Sequence, residues 1–85
     1  MYKTYILESI SNGRYYIGST ENIDARIVKH NSGSVKFTKA FRPWRVVYTE
    51  EHPTRSEAYK RELEIKSYKG GFKFKELIRR DRIEA

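Results

Sequence analysis

The 85-residue chain contains no cysteine, which excludes disulfide staples and a thiolate zinc site and leaves the redox character of its compartment unmarked. Long apolar runs are missing too. No stretch approaches the roughly 20 residues that a membrane span requires, and the chain does not open with a basic flank followed by an apolar run. The expectation is a soluble, cytoplasmic protein. Internal repeats, linkers and low-complexity tracts are likewise lacking, so the expectation is one domain over residues 1–85. A domain of this size buries only roughly 60–65% of the surface its unfolded chain exposes, and packing alone must hold a modest core.

Acidic residues are the minority charge. Eighteen Lys and Arg stand against 11 Asp and Glu, for a formal charge of +7, which makes a polyanion the first partner to consider. The cations are unevenly spread. Residues 34–45 hold Lys36, Lys39, Arg42 and Arg45 without an acid, interleaved with Phe37, Phe41 and Trp44. A second basic stretch runs through Lys66, Lys69, Lys73, Lys75, Arg79, Arg80 and Arg82.

Two segments rich in β-branched and aromatic residues, 2–10 and 14–20, flank Asn12-Gly13, a strong signal for a tight hairpin. With an even loop, Tyr5, Leu7, Tyr16 and Gly18 project from one face, because side chains alternate with period two; a slip of one residue separates the tyrosines. Thr20 and Asn22 are capping residues for a helix over 21–31, whose apolar pair is Ile23 and Ile27 and which ends at Asn31-Ser32-Gly33. The basic-aromatic stretch lacks a clean period and reads as a connector with at most one helical turn. A third strand follows over 44–50. Thr54 and Glu57 have capping-box spacing ahead of a helix over 55–68 that stops at Gly70-Gly71, and Phe74, Leu77 and Ile78 outline a short last helix. The fold class expected is α+β, a small three-stranded antiparallel sheet flanked by helices.

Three polar residues fall where apolar ones are expected. Arg26 and His30 stand four apart on the Ile23/Ile27 side of the first helix, and Glu62 borders the inward side of the helix after Pro53. A buried charge needs a partner. One reading is structural, with Glu62 paired to Arg26 or Arg61 and His30 a helix-terminal cation favoured by the dipole. Gly18 raises a related question: a glycine inside a strand marks either a bulge or a place where something approaches the backbone closely.

Taken together, "TYILES", "NGRYYIGST", "IDARIVKHN" and "EAYKRELEIK" resemble, in this order, the GIY-YIG nuclease superfamily, especially its small single-domain members similar to the nuclease domain of UvrC. Tyr16-Ile17-Gly18 matches the second signature in full, whereas in the first, Lys3-Thr4-Tyr5 retains only the tyrosine. The resemblance implies phosphodiester hydrolysis in DNA, branched or single-stranded forms included, with one divalent cation, Mg²⁺ or Mn²⁺. It implies that Glu62 is the metal ligand, that Arg26 contacts the scissile phosphate, and that Tyr5 and Tyr16 are the signature tyrosines, one of which activates water. His30 matches a position that binds phosphate or passes protons, and Asn31 completes a His-Asn pair common in these small members. Ser19 stands where some relatives carry lysine.

The residue types suit that chemistry. A guanidinium meets phosphate oxygens in a bidentate fork, and a single carboxylate leaves most positions of a hard cation to water and substrate. Tyrosine, with a reference pKa of about 10, needs a cation to favour its phenolate, while histidine near 6.5 is the easier proton acceptor. Both remain candidate bases. Gly18, Asn31, Lys36, Lys39 and Arg42 complete the expected substrate contacts, Gly18 by letting substrate or Arg26 approach the sheet. The competing reading is a nucleic-acid-binding module with the same fold and no cleavage, whose basic-aromatic segment grips phosphates and stacks bases. A third is a partner-binding protein whose positive surface meets an acidic protein.

Overall fold

The computed structural model describes residues 1–84, and side chains as far as Arg79; the Arg80 and Arg82 side chains of the second basic stretch lie outside the described residues. Strands β1 (Tyr2–Ser9), β2 (Tyr15–Thr20) and β3 (Trp44–His52) form an antiparallel sheet in the order β2-β1-β3. Helices α1 (Ile23–Ser32), α2 (Arg55–Ser67) and α3 (Phe72–Glu84) flank it, with a single 3-10 turn at Lys39–Phe41 in the connector. The protein is therefore α+β with three strands and three helices.

β1 lies at the centre and is covered on both faces, so Thr4, Tyr5, Ile6 and Leu7 are buried in succession where a half-exposed strand would alternate. One face carries Ile6 and Val47 under Ile65 of α2 and Phe74, Leu77 and Ile78 of α3. The other carries Tyr5, Leu7 and Trp44, closed by Tyr16, Ile23, Ile27 and Phe41. Each cluster is small, as the chain length requires. Val47 is the extra residue where β3 slips against Ile6 and Leu7, so the bulge of this sheet sits in β3, not at Gly18.

The turn after β1 is a four-residue loop, longer than the expected two-residue turn. Ser9 N–H donates to the Arg14 carbonyl at 2.7 Å and Gly13 N–H to the Ser9 carbonyl at 2.9 Å, with Gly13 at φ 77°. The loop is even, so Tyr5 pairs with Gly18 and Leu7 with Tyr16, and all four share a face. Asn22 caps α1 by accepting from Ala25 N–H at 3.1 Å, and Gly33 closes it at φ 85°. Thr54 accepts from Glu57 N–H at 3.2 Å at the start of α2. The greatest departure is α3: its 13 residues make it a full helix where a short one was expected, because Phe74, Leu77 and Ile78 anchor only its first half.

Candidate functional site

Pairing of Tyr5 with Gly18 places a phenol over a backbone that has no side chain. A Cβ built on Gly18 would stand 2.6 Å from the Tyr5 hydroxyl oxygen and 2.7 Å from the adjoining ring carbon. What approaches the backbone is thus the Tyr5 ring itself, which occupies the space expected for substrate or Arg26. Gly18 lets Tyr5 lie across the strand.

Laid down in this way, the buried Tyr5 hydroxyl reaches His30 Nε2 at 3.0 Å. His30 has no exposed surface, and this corrects the reading of it as a helix-terminal cation. Burial, reinforced by the charge of Arg26, pulls its pKa down to about 4, so near neutral pH the ring is uncharged. Its Nδ1 faces Thr38 Oγ1 at 2.8 Å. The Tyr16 ring packs 4.9 Å from the imidazole and 6.4 Å from the Tyr5 ring, centroid to centroid.

Arg26, one turn before His30 on α1, leans against the Tyr5 and Tyr16 hydroxyls, and hydrogen bonding to Tyr5 raises its pKa. Burial pushes Tyr5 up to about 12, with the hydrogen bond from Arg26 working the other way. Arg26 Nε is buried and has no protein partner, a donor that a bound anion would satisfy. Arg26 also lines a groove of about 580 Å³ between the ends of β1 and β2 and the start of α1, together with Lys3, Thr20 and Lys29.

Glu62 arrives from α2. It accepts from Ser19 Oγ at 2.8 Å and pairs with Lys66 Nζ at 2.7 Å. The expected ion pair with Arg26 or Arg61 does not form; Arg61 is held by Glu50 at 3.0 Å and Glu64 at 3.1 Å. Ser19 alternates away from Gly18, so the carboxylate stands at the edge strand β2 and not among the phenols. Its charge still reaches Tyr5, where it opposes ionisation.

A divalent cation can be tested against this donor set. Glu62 offers one carboxylate beside the hydroxyl oxygen of Ser19, and the Lys66 ammonium marks the spot as attractive to positive charge. Among the described residues no three His, Cys, Asp or Glu side chains gather. The set would suit a hard, hydrated cation taking Glu62 as its one protein carboxylate in place of Lys66.

The remaining expected contacts divide. Asn31 is committed to the backbone of Trp44, donating to its carbonyl at 3.0 Å and accepting from its N–H at 2.6 Å, and so ties α1 to β3. Arg42 donates through Nε to the Lys39 carbonyl at 2.9 Å and packs its guanidinium against Gly33. Lys36 and Lys39 are exposed on the connector, as is Phe37. Two participants escaped sequence reading. Lys66 was legible as a Glu-to-Lys pair four apart on a helix, whereas Thr38 lies in an aperiodic connector that gave no signal.

A family model described as the GIY-YIG catalytic domain matches residues 1–75. A UPF0213 protein of Staphylococcus epidermidis is 48% identical over 59 residues, spanning 68% of this chain and 72% of its own. A UPF0213 protein of Staphylococcus aureus is 49% identical over the same shares. The solution NMR structure of a UPF0213 protein from Bacillus halodurans, 40% identical, covers 79% of this chain and 72% of its own with a TM-score of 0.47. With its tyrosines, arginine and histidine gathered on one sheet face, the chain belongs to the GIY-YIG family of nuclease domains.

Proposed function

We propose that the protein is a divalent-metal-dependent endonuclease that hydrolyses phosphodiester bonds in DNA. The observation that carries this reading is the Tyr5 hydroxyl, held between a guanidinium and a neutral imidazole. In this reading Arg26 binds the scissile phosphate, offering its unpartnered Nε and stabilising charge that grows on the oxygens in the transition state. Tyr5 takes a proton from the attacking water while its own passes to His30 Nε2, leaving an imidazolium. With Tyr5 near 12 and His30 near 4, a free phenolate does not accumulate at rest. A phosphate bound at Arg26 offsets the cation that depresses His30 and makes the ring a better acceptor. Tyr16 packs beside Tyr5 and His30 on the same sheet face and lies near Arg26. Glu62 and Ser19 would hold the Mg²⁺ or Mn²⁺, which supplies charge neutralisation at the phosphate.

One observation favours the alternative of a non-catalytic nucleic-acid-binding module. Lys66 already neutralises Glu62, which a protein without a metal would retain. Incubation with supercoiled, single-stranded and branched DNA, with and without Mg²⁺ or Mn²⁺, separates the two. The enzyme cleaves in metal only, and Glu62→Ala abolishes cleavage. Arg26→Ala lowers kcat far more than it weakens binding. Binding without cleavage in any metal overturns the enzymatic reading.

A further inference from the structure

The proton count around His30 is more constrained than the catalytic reading requires. Thr38 has one hydroxyl hydrogen and no exposed surface, and it faces two groups: His30 Nδ1 at 2.8 Å and the Val35 carbonyl, to which it donates at 3.4 Å. A carbonyl can only accept, so when the hydroxyl hydrogen goes to Val35 the hydrogen between Thr38 and His30 must be carried by Nδ1. The other end of the ring agrees. Arg26 is a donor only and lies beside the Tyr5 hydroxyl, so the Tyr5 hydrogen is the one directed to His30 Nε2, 3.0 Å away. One arrangement gives every hydrogen an acceptor: Tyr5 O–H to Nε2, Nδ1–H to Thr38 Oγ1, Thr38 O–H to Val35. In the opposite arrangement Thr38 O–H turns to Nδ1 and gives up the Val35 carbonyl, and Nε2–H points at the Tyr5 oxygen beside the donor-only Arg26.

We propose that Thr38 is a positioning residue that fixes His30 as the Nδ1–H tautomer and thereby keeps Nε2 free to accept the Tyr5 proton. The bias is needed, because the Nδ1–H form is the less populated one for a histidine side chain in water. Thr38 is itself held in place, its carbonyl accepting from the Trp44 indole N–H at 2.8 Å and its N–H donating to Val35 at 3.2 Å. Trp44 is in turn fixed to α1 through Asn31. The connector therefore serves the site through a hydroxyl, beyond any part its lysines play at the surface.

The inference rests on the hydrolytic reading for its consequence but not for its geometry, so the test has two arms. Imidazole nitrogen NMR shifts of His30 are recorded on the protein free of metal and nucleic acid, for wild type, Thr38→Ser and Thr38→Val. Wild type and T38S are expected as Nδ1–H, and T38V is expected to move toward Nε2–H. In cleavage assays T38V is expected to lose on the order of tenfold or more in kcat with KM nearly unchanged, while T38S retains activity. An Nε2–H wild type overturns the proposal, as does a T38V protein with unaltered tautomer and kcat. If T38V does not fold, the wild-type and T38S spectra decide by the same criterion. A wild type that is Nδ1–H yet cleaves nothing supports the positioning and overturns the nuclease reading alone.

Discussion

A histidine without exposed surface, packed beside a guanidinium, has two reasons to stay uncharged, and both act against folding once the solution turns acidic. His30 has its pKa pulled from 6.5 down to about 4 by burial and by Arg26. The groups around it are Tyr5 from β1, Tyr16 from β2, Thr38 from the connector and Arg26 from its own helix; burial pushes Tyr5 up and Arg26 is raised further, so neither of these two changes charge in that interval. A depressed pKa means that the unfolded chain binds the extra proton first. The contribution of His30 is therefore fully present above pH 6.5 and is lost as pH falls toward 4. Between pH 6.5 and 5 the loss is about 1.5 kcal/mol. Urea titrations across that window are expected to show it, and His30→Gln is expected to flatten the profile. An unchanged slope in the variant means that the ring titrates in the fold as it does in the unfolded chain.

At the scale of elements, Asn31 clamps α1 to β3, beside the packing of Ile23 and Ile27 on the cluster that holds Trp44. Asn31 uses both ends of its amide on the Trp44 backbone, and Trp44 holds Thr38 in turn. Asn31→Ala removes two hydrogen bonds at net values near 1 kcal/mol each, so stability is expected to fall by about 1–2 kcal/mol in chemical denaturation. Cleavage should fall with it, since Thr38 loses its anchor. Asn31→Asp keeps the acceptor for Trp44 N–H but sets an oxygen against the Trp44 carbonyl, and should not restore stability. Full stability in N31A would show that the clamp is redundant. This joint marks the limit of what sequence reading reached. Strands, helices and the shared face of Tyr5, Leu7, Tyr16 and Gly18 were legible, because periods of two and 3.6 follow from local geometry. The occupant of the space at Gly18 was not, since only the Tyr5 side-chain conformation decides it. Thr38 and Asn31 were opaque for a similar reason: their partners are set by how the connector folds back, which no period encodes. Glu62 was read correctly as bordering the inward face, but its partner was assigned to Arg26 or Arg61 when it is Lys66, one turn on along its own helix.

Across the whole molecule, the +7 charge is less freely available than the count implies. Arg45 is paired with Glu8 at 2.7 Å, Arg61 with Glu50 and Glu64, and Lys66 with Glu62. These pairs hold the sheet edges and α2 together. The connector from 34 to 42 carries Lys36 and Lys39 exposed and without an acid in its sequence, and it lies on the side of the sheet where Thr38 meets His30. If nucleic acid crosses the tyrosine face, its backbone passes this connector, and each phosphate neutralised there releases counterions. The logarithm of the binding constant then falls linearly with the logarithm of salt concentration, by about 0.7–0.9 per phosphate contact. Replacing both Lys36 and Lys39 with Gln is expected to reduce that slope by roughly 1.5–2, measured by fluorescence anisotropy in a Glu62→Gln background that does not cleave. The pairs elsewhere set the control: Arg45→Gln should leave the slope nearly unaltered, because Glu8 already screens that guanidinium. A double variant with the wild-type slope would move the nucleic-acid path off the connector and toward the groove lined by Lys3 and Lys29.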